Sequence, residues 1–154
     1  MIRRGWRIVP EEFAATSFDG EGARLFGGRW NSAGMPMVYA AEHLSLAALE
    51  VRVHLERTSM KKRYQCIRFD FDERLMMTFP LESLPERWQQ EPPPPSLQAA
   101  GDHWLASMGS VVLAVPSVII PAEQNLLINP RHPDFKKIKI GGPEPFSFDF
   151  RLFQ

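Results

Sequence analysis

Fourteen prolines are spread through the 154 residues of this chain. Each one fixes its own φ, withholds a backbone donor and turns the residue before it away from helix. A bundle of long helices is therefore disfavoured, and a fold of short elements with many irregular connections is expected. Hydrophobic residues make up 44% and charged residues 23%, a globular composition. The length suits one domain over 1–154 with a real core and is short for two. Lys+Arg and Asp+Glu balance at 18 each. Without an overall basic field, direct nucleic-acid binding is not expected. Cys66, the single cysteine, excludes an internal disulfide and fits a reducing compartment. The start "MIRRGWRIVPEEF" lacks an apolar run of signal length, and no segment approaches a membrane span, so a cytoplasmic protein is expected.

The patterning predicts an α+β fold with a mainly β core and two or three helices. A strand is expected over Trp6–Val9, ended by Pro10. "MVYAA" (37–41) reads as a strand feeding a helix over Ser45–Arg57. "YQCIRFDF" (64–71) sets Ile67, Phe69 and Phe71 against Arg68 and Asp70, as a half-buried strand does. "SVVLAV" and "SVII" flank Pro116 as two apolar runs, expected as buried strands meeting at a bend. "FSFDFRLF" alternates again near the C-terminus. It suits core packing better than an edge strand or a self-association surface. "EPPPPS" (91–96) reads as an extended surface connection. Ser96 then caps a helix over Leu97–Met108 that ends at Gly109. Leu97, Gly101, Trp104, Leu105 and Met108 share one of its faces.

Three stretches hold candidate chemistry. In "LAALEVRVHL", Leu46, Leu49 and Val53 share a helix face, with Glu50 at its edge. A buried carboxylate is costly without a partner, and Arg57 projects to a similar sector. Upstream, "LFGGRWNSAGMPMVYAAEHLS" crowds Gly27, Gly28, Arg29, Trp30, Asn31, Gly34 and Tyr39 into a few turns. Paired glycines admit close approach to the main chain. A guanidinium suits phosphate, and the rings of Trp30 and Tyr39 offer flat faces. Taken singly, these residues read as a turn, a surface ion pair and core aromatics; together they look like a site. Downstream, Ser117 lies in "VPSVIIPAEQNLLINPRHPDF", where a serine most often bonds nearby backbone. No Gly-x-Ser-x-Gly elbow surrounds it. Asn125 and Asn129 read as turn formers. His43, His54, His103, His132 and Asp134 lack ligand spacing, so no metal is expected. Neither a Walker loop nor a dinucleotide fingerprint is present.

In this order, Arg7-Ile8, "GGRWN", "VYAAEHLSLAALEV" and "PSVIIPAEQNLLINPRHPDF" resemble the RES-domain family over about residues 6–140. That family is named for an Arg, a Glu and a Ser, which fall at Arg29, Glu50 and Ser117. The resemblance implies a fold akin to ADP-ribosyltransferases and the diphtheria-toxin catalytic core. It also implies the toxin of a type II toxin–antitoxin pair, with NAD⁺ as the substrate it breaks down. The implied partner is an antitoxin with an Xre-like helix-turn-helix domain, which covers the active site in a hetero-oligomer. Glu50, Arg29, Ser117 and Tyr39 are then expected as catalytic residues, and Arg7, Arg29, Trp30, Tyr39 and Asn125 as NAD⁺ contacts. Arg7 and Arg29 would grip the pyrophosphate, Tyr39 and Trp30 would pack on the nicotinamide, and Ser117 would orient the nicotinamide end or Glu50. Trp6 stands where relatives often have tyrosine. Ala48 stands two residues before Glu50, where transferases often carry a second carboxylate; its presence favours hydrolysis or phosphorolysis over transfer of ADP-ribose. An inactive NAD-binding module is the non-enzymatic alternative.

Overall fold

Alternation along two long strands sets the frame. In β3 (Tyr64–Asp72) Ile67, Phe69 and Phe71 are buried on one side, as expected, and Tyr64 and Cys66 are buried on the other because a helix covers that face. β1 (Ile2–Pro10) pairs antiparallel with β3 along its whole length, from Ile2 opposite Asp72 to Pro10 opposite Tyr64. Gly5 lies opposite Phe69, and a Cβ there would sit 2.2 Å from the ring. The computed structural model describes residues 1–55 and 62–153; Arg57 falls outside them, but the expected helix over Ser45–Arg57 already ends at Arg52, so Val53, expected on one face with Leu46, lies past its end and is exposed.

The remaining strands are β2 (Val38–Ala41), β4 (Met76–Thr78), β5 (Val112–Pro116), β6 (Gln124–Ile128), β7 (Lys139–Ile140) and β8 (Glu144–Phe146). Among the described residues they form one sheet in the order β4-β5-β6-β2-β1-β3-β7, with β8 also on β3. Every pairing is antiparallel except β4 with β5. β2 is fully paired to β6, from Val38 opposite Ile128 to Ala41 opposite Asn125. It meets β1 only at Trp6 opposite Ala41. The sheet is thus two half-sheets joined by a thin seam.

One face of both halves is a continuous core of Val9, Val38, Ile67, Phe69, Val112, Leu126 and Ile128, with Phe18 and Phe135 closing it. The other face carries two separate cores. Helix α3 (Pro95–Ser107) lays Leu97, Trp104 and Leu105 over Leu113, Val115 and Leu127. Helix α2 (Leu44–Arg52) lays Leu46 and Ala47 over Ile8, Ala41 and Cys66, so it spans the seam. α1 is the short helix Glu21–Phe26. None of the described helices is long and apolar enough to cross a membrane.

Several expectations need correction. The "SVII" run is no strand but the bend between β5 and β6: the Ser117 hydroxyl takes the N–H groups of Ile119 and Ile120 at 3.0 and 3.1 Å, turning the chain. Asn125, expected as a turn former, lies within strand β6; Asn129 does form a turn, accepting from the Arg131 N–H at 3.0 Å. α3 begins at Pro95 with Pro94 as its cap residue, so Ser96 lies inside the first turn and does not cap. A proline at the first helical position lacks only a donor that would be unpaired anyway. The helix stops on Met108 in a left-handed conformation (φ 55°) rather than on Gly109. "FSFDFRLF" leaves the sheet after Phe146 and folds as an aromatic chain, Tyr64–Phe148, Phe146–Phe148 and Phe148–Phe153, with centroids 5.0–5.9 Å apart and edge-on. Phe153 is core, whereas Phe150 and Leu152 are exposed.

Candidate active site

The "GGRWN" loop follows α1 and is built to hold one shape. Gly28 lies against the Tyr39 hydroxyl, where a Cβ would come within 2.6 Å. That hydroxyl accepts from the Trp30 N–H at 2.9 Å and donates to Asn31 Oδ1 at 2.6 Å. Burial pushes its pKa far above the usual tyrosine range, so it remains a donor. Asn31 is wholly buried, and its Nδ2 donates to the carbonyls of Ala23 and Met35, both at 2.9 Å. α3 supports the loop from behind. Gln98 Nε2 donates to the Gly28 carbonyl at 2.9 Å, and Asp102 accepts from the Ser32 N–H at 2.9 Å. Between them, Gly101 leaves room for the Trp30 carbonyl, which a Cβ would meet at 1.6 Å.

The fixed loop presents Arg29. Its Nη1 donates to the carbonyls of Trp88 and Gln90 at 3.1 and 2.9 Å, and its Nη2 pairs with the Glu91 carboxylate at 2.5 Å. The segment expected as a bare connection therefore reaches Arg29. Trp30 corrects another expectation. It is 3% exposed and packs edge-on to Phe79 at 5.1 Å, so its ring is core and offers no open face to a nicotinamide. The Tyr39 hydroxyl, too, is spent on the loop.

Glu50 sits half-buried on α2, and Ser117 lies wholly buried just past the end of β5. The hydroxyl of Ser117 donates to Glu50 Oε1 at 2.7 Å. Its oxygen already accepts from two backbone N–H groups, so its only proton points at the carboxylate. Among the described residues nothing bonds Glu50 Oε2. The two meet because Val115, Asn125, Ala41 and Trp6 form one row across the sheet, and α2 starts just beyond that row. Asn125 is half-buried on the same face and gives one long bond, 3.4 Å, to the Ala40 carbonyl.

Arg7 is not brought to that face. Strand alternation turns it away from Trp6 and Ile8. Its Nε donates to the Ser17 carbonyl at 2.8 Å and its Nη1 to the Tyr39 carbonyl at 2.6 Å. These bonds stitch β1 to β2 across the seam. Burial pushes its pKa down to about 10, with Asp19 opposing, which leaves it charged at neutral pH.

Reading the residues alone missed Asn31, Gln98 and Asp102 as loop supports and Glu91 as the partner of Arg29. Only Gly101 gave a signal, as a small residue on the buried face of a helix. Among the described residues, no three His, Cys, Asp or Glu side chains cluster as metal ligands. An open groove of about 690 Å³ beside Asp70, Asp72, Arg74, Lys137 and Lys139 holds none of these residues.

The family model described as "RES domain" matches residues 4–149. A "Toxin Res" from Yersinia enterocolitica is 36% identical over 148 residues, covering 96% of this chain and 97% of that one. A "Prs ADP-ribosylating toxin" from a Sphingobium species is 35% identical over 154 residues, covering 97% and 96%. Among solved structures, a chain of the Mycobacterium tuberculosis MbcT–MbcA toxin–antitoxin complex superposes with a TM-score of 0.73 at 19% identity, over 100% of this chain and 88% of that chain. The α+β fold, the ordered motifs and a match across nearly the whole length converge: this chain belongs to the RES domain family.

Proposed function

We propose that the protein is the toxin of a toxin–antitoxin pair and that it cleaves the nicotinamide–ribose bond of NAD⁺. The observation that carries this reading is the Ser117–Glu50 hydrogen bond, 2.7 Å long, in a chain whose relatives are named toxins. The pyridinium of NAD⁺ leaves as neutral nicotinamide, so the enzyme need not protonate it. What it must stabilise is positive charge growing on the ribose, as in other glycosidic cleavages. Glu50, oriented by the serine hydroxyl, accepts a ribose hydroxyl at Oε2 and faces that charge. Arg29 binds the pyrophosphate, and Asn125, on the floor of the same face, contacts the nicotinamide half. Water or phosphate attacks the ribose.

Purified protein with NAD⁺, with and without phosphate, tests this by nicotinamide release and product mass. Glu50→Gln is expected to stay folded, bind NAD⁺ and lose about 10²–10³ in rate. Undiminished turnover in that variant would falsify the assignment. A second reading, transfer of ADP-ribose to a protein, is favoured by the name of the Sphingobium relative and opposed by Ala48. A mass increase on a co-incubated acceptor selects it. The antitoxin, expected to carry an Xre-like helix-turn-helix domain, would insert an acidic or carboxylate-ended tail that competes for Arg29. Inhibition that survives deletion of that tail counts against this arrangement.

A further inference from the structure

Helix α2 carries Glu50 in its second half, but the sheet holds its first half. Its two fully buried side chains, Leu46 and Ala47, lie four and three residues before Glu50, and Val51 packs half-buried on the same core. The helix is nine residues long, too short to keep its last turn in shape without tertiary support. That support comes from the far end of the chain. Arg52 Nε donates to the Leu152 carbonyl at 2.6 Å, and its guanidinium lies over the Phe153 ring, 4.3 Å from the centroid. Its Nη1 also donates to the Leu55 carbonyl at 3.3 Å, closing the turn that follows the helix. The C-terminal acceptor is itself fixed. Phe153 is buried at the end of the aromatic chain rooted on Tyr64 of β3, and the Leu152 N–H bonds the Asp149 carbonyl at 3.0 Å. Glu50 and Arg52 are two residues apart, about 200° around the helix. They therefore leave it on opposite sides, one bonded to Ser117 and the other to the C-terminal turn. Two ties on opposite sides of one turn fix its roll about the helix axis, which a single tie does not.

We propose that Arg52 is a positioning residue: its clasp to the C-terminal turn sets the roll of α2 and keeps the free Glu50 oxygen aimed at the reacting sugar. This rests on the reading of Glu50 as the carboxylate that faces the ribose. A planar guanidinium suits the task, because its face stacks on a ring while its edge donates to a carbonyl. Released from the clasp, the last turn of α2 rolls and frays. Glu50 Oε2 then swings away while Ser117 still holds Oε1. Ligand binding through Arg29 is untouched, since that loop rests on α3. The last residues of the chain thus complete a site whose own groups all lie upstream of them.

The test follows hydrogen exchange of the α2 amides by mass spectrometry, NAD⁺ affinity by calorimetry and turnover by nicotinamide release. It compares the intact chain with Arg52→Gln, Arg52→Lys and Phe153→Leu. Arg151→Gln, which breaks the neighbouring Arg151–Asp149 pair, is the control and is expected to change none of the three. Arg52→Gln is expected to speed exchange over Leu49–Val53 while the amides of β3 and β5 stay as protected as before. Its kcat falls by up to about 10²-fold, the scale of a misplacement of about 1 Å, and its NAD⁺ affinity is unchanged. Arg52→Lys keeps the charge without the planar fork, and Phe153→Leu keeps the carbonyl bond without the ring. Both are expected to show smaller losses of the same kind, and they decide the matter if Arg52→Gln does not fold. The sharpest comparison is Arg52→Gln in a Glu50→Gln background. There it costs no further rate, because it acts only through Glu50. An equal fold loss in both backgrounds overturns the proposal. Unchanged α2 exchange overturns it too, and so does a uniform rise in exchange throughout the protein, which makes Arg52 a general support of the fold. A loss that falls on NAD⁺ affinity rather than on kcat overturns it as well. If the intact chain releases no nicotinamide, the functional reading fails, and α2 exchange alone then decides whether the clasp holds the helix.

Discussion

Ser117 does two jobs with one oxygen. Its lone pairs close the bend after β5 by accepting from Ile119 and Ile120, and its proton holds Glu50. Ser117→Ala removes all three bonds at a wholly buried position. The cost is expected at about 1–3 kcal/mol from the stranded N–H groups, read as a lower midpoint in denaturant titration. Turnover falls further than stability explains, because Glu50 loses its fixed orientation; a variant destabilised equally at a remote core position is the control. Tyr39→Phe makes a related point. It keeps the ring but strands the Trp30 N–H and Asn31 Oδ1, also worth about 1–3 kcal/mol. If Tyr39 acts by shaping the loop, NAD⁺ affinity drops together with stability. A drop in kcat at unchanged stability would instead place its hydroxyl on the substrate.

At the scale of elements, the Arg29 loop depends on how closely α3 approaches it. Alanine is the better helix former by about 1 kcal/mol, so Gly101→Ala would stabilise α3 in isolation. Here its Cβ would meet the Trp30 carbonyl at 1.6 Å, and that oxygen is backbone. The substitution is expected to destabilise the protein by about 1–3 kcal/mol and to weaken NAD⁺ binding; a rise in melting temperature would show that the loop gives way freely. The same scale explains what was legible beforehand. β3 was readable because its period-2 pattern faces a core on one side, and the family because the motifs that carry Arg29, Glu50 and Ser117 stand in order; of the candidate site itself, the structure displays the Ser117–Glu50 contact. β6 was not: Gln124 and Asn125 open it with turn-like residues, and its strand character comes from pairing with β2 and β5. "SVII" misled for the opposite reason, since one hydroxyl captured the donors a strand would have needed. Trp30 could not be assigned to core or ligand from its type, and Arg7 could not be assigned to a face until the registers of β1 and β3 were known.

Across the whole molecule, the two half-sheets share one direct residue pair and are bridged by α2 and by the Arg7 guanidinium. The balanced charge does not make the surface indifferent to pH. Hydrogen bonds from Arg4, Arg74, Arg151 and Arg24 hold the carboxyls of Asp70, Asp72, Asp149 and Glu21 below their ordinary range. Folded pKa values lie under the unfolded ones, so this stabilisation is complete above the unfolded carboxylate range and is lost as pH falls through the folded values. Melting temperature is expected to hold from about pH 7 to about pH 5 and to decline steadily toward about pH 2. About 1 M salt should flatten that decline, because these pairs lie at the surface. A midpoint insensitive to acid would mean that the four pairs contribute nothing to the fold.

The two partners of the central hydrogen bond lie 67 positions apart in the chain, and β2, which underlies the site, pairs mainly with a strand made later still. At ordinary translation speed, roughly 3–13 seconds separate the synthesis of Glu50 from that of Ser117. Throughout that interval the emerging polypeptide has a carboxylate with no serine to aim it and a half-sheet with no neighbour. A ribosome making this protein therefore carries an unassembled Glu50–Ser117 pair until the last quarter of the chain is being made.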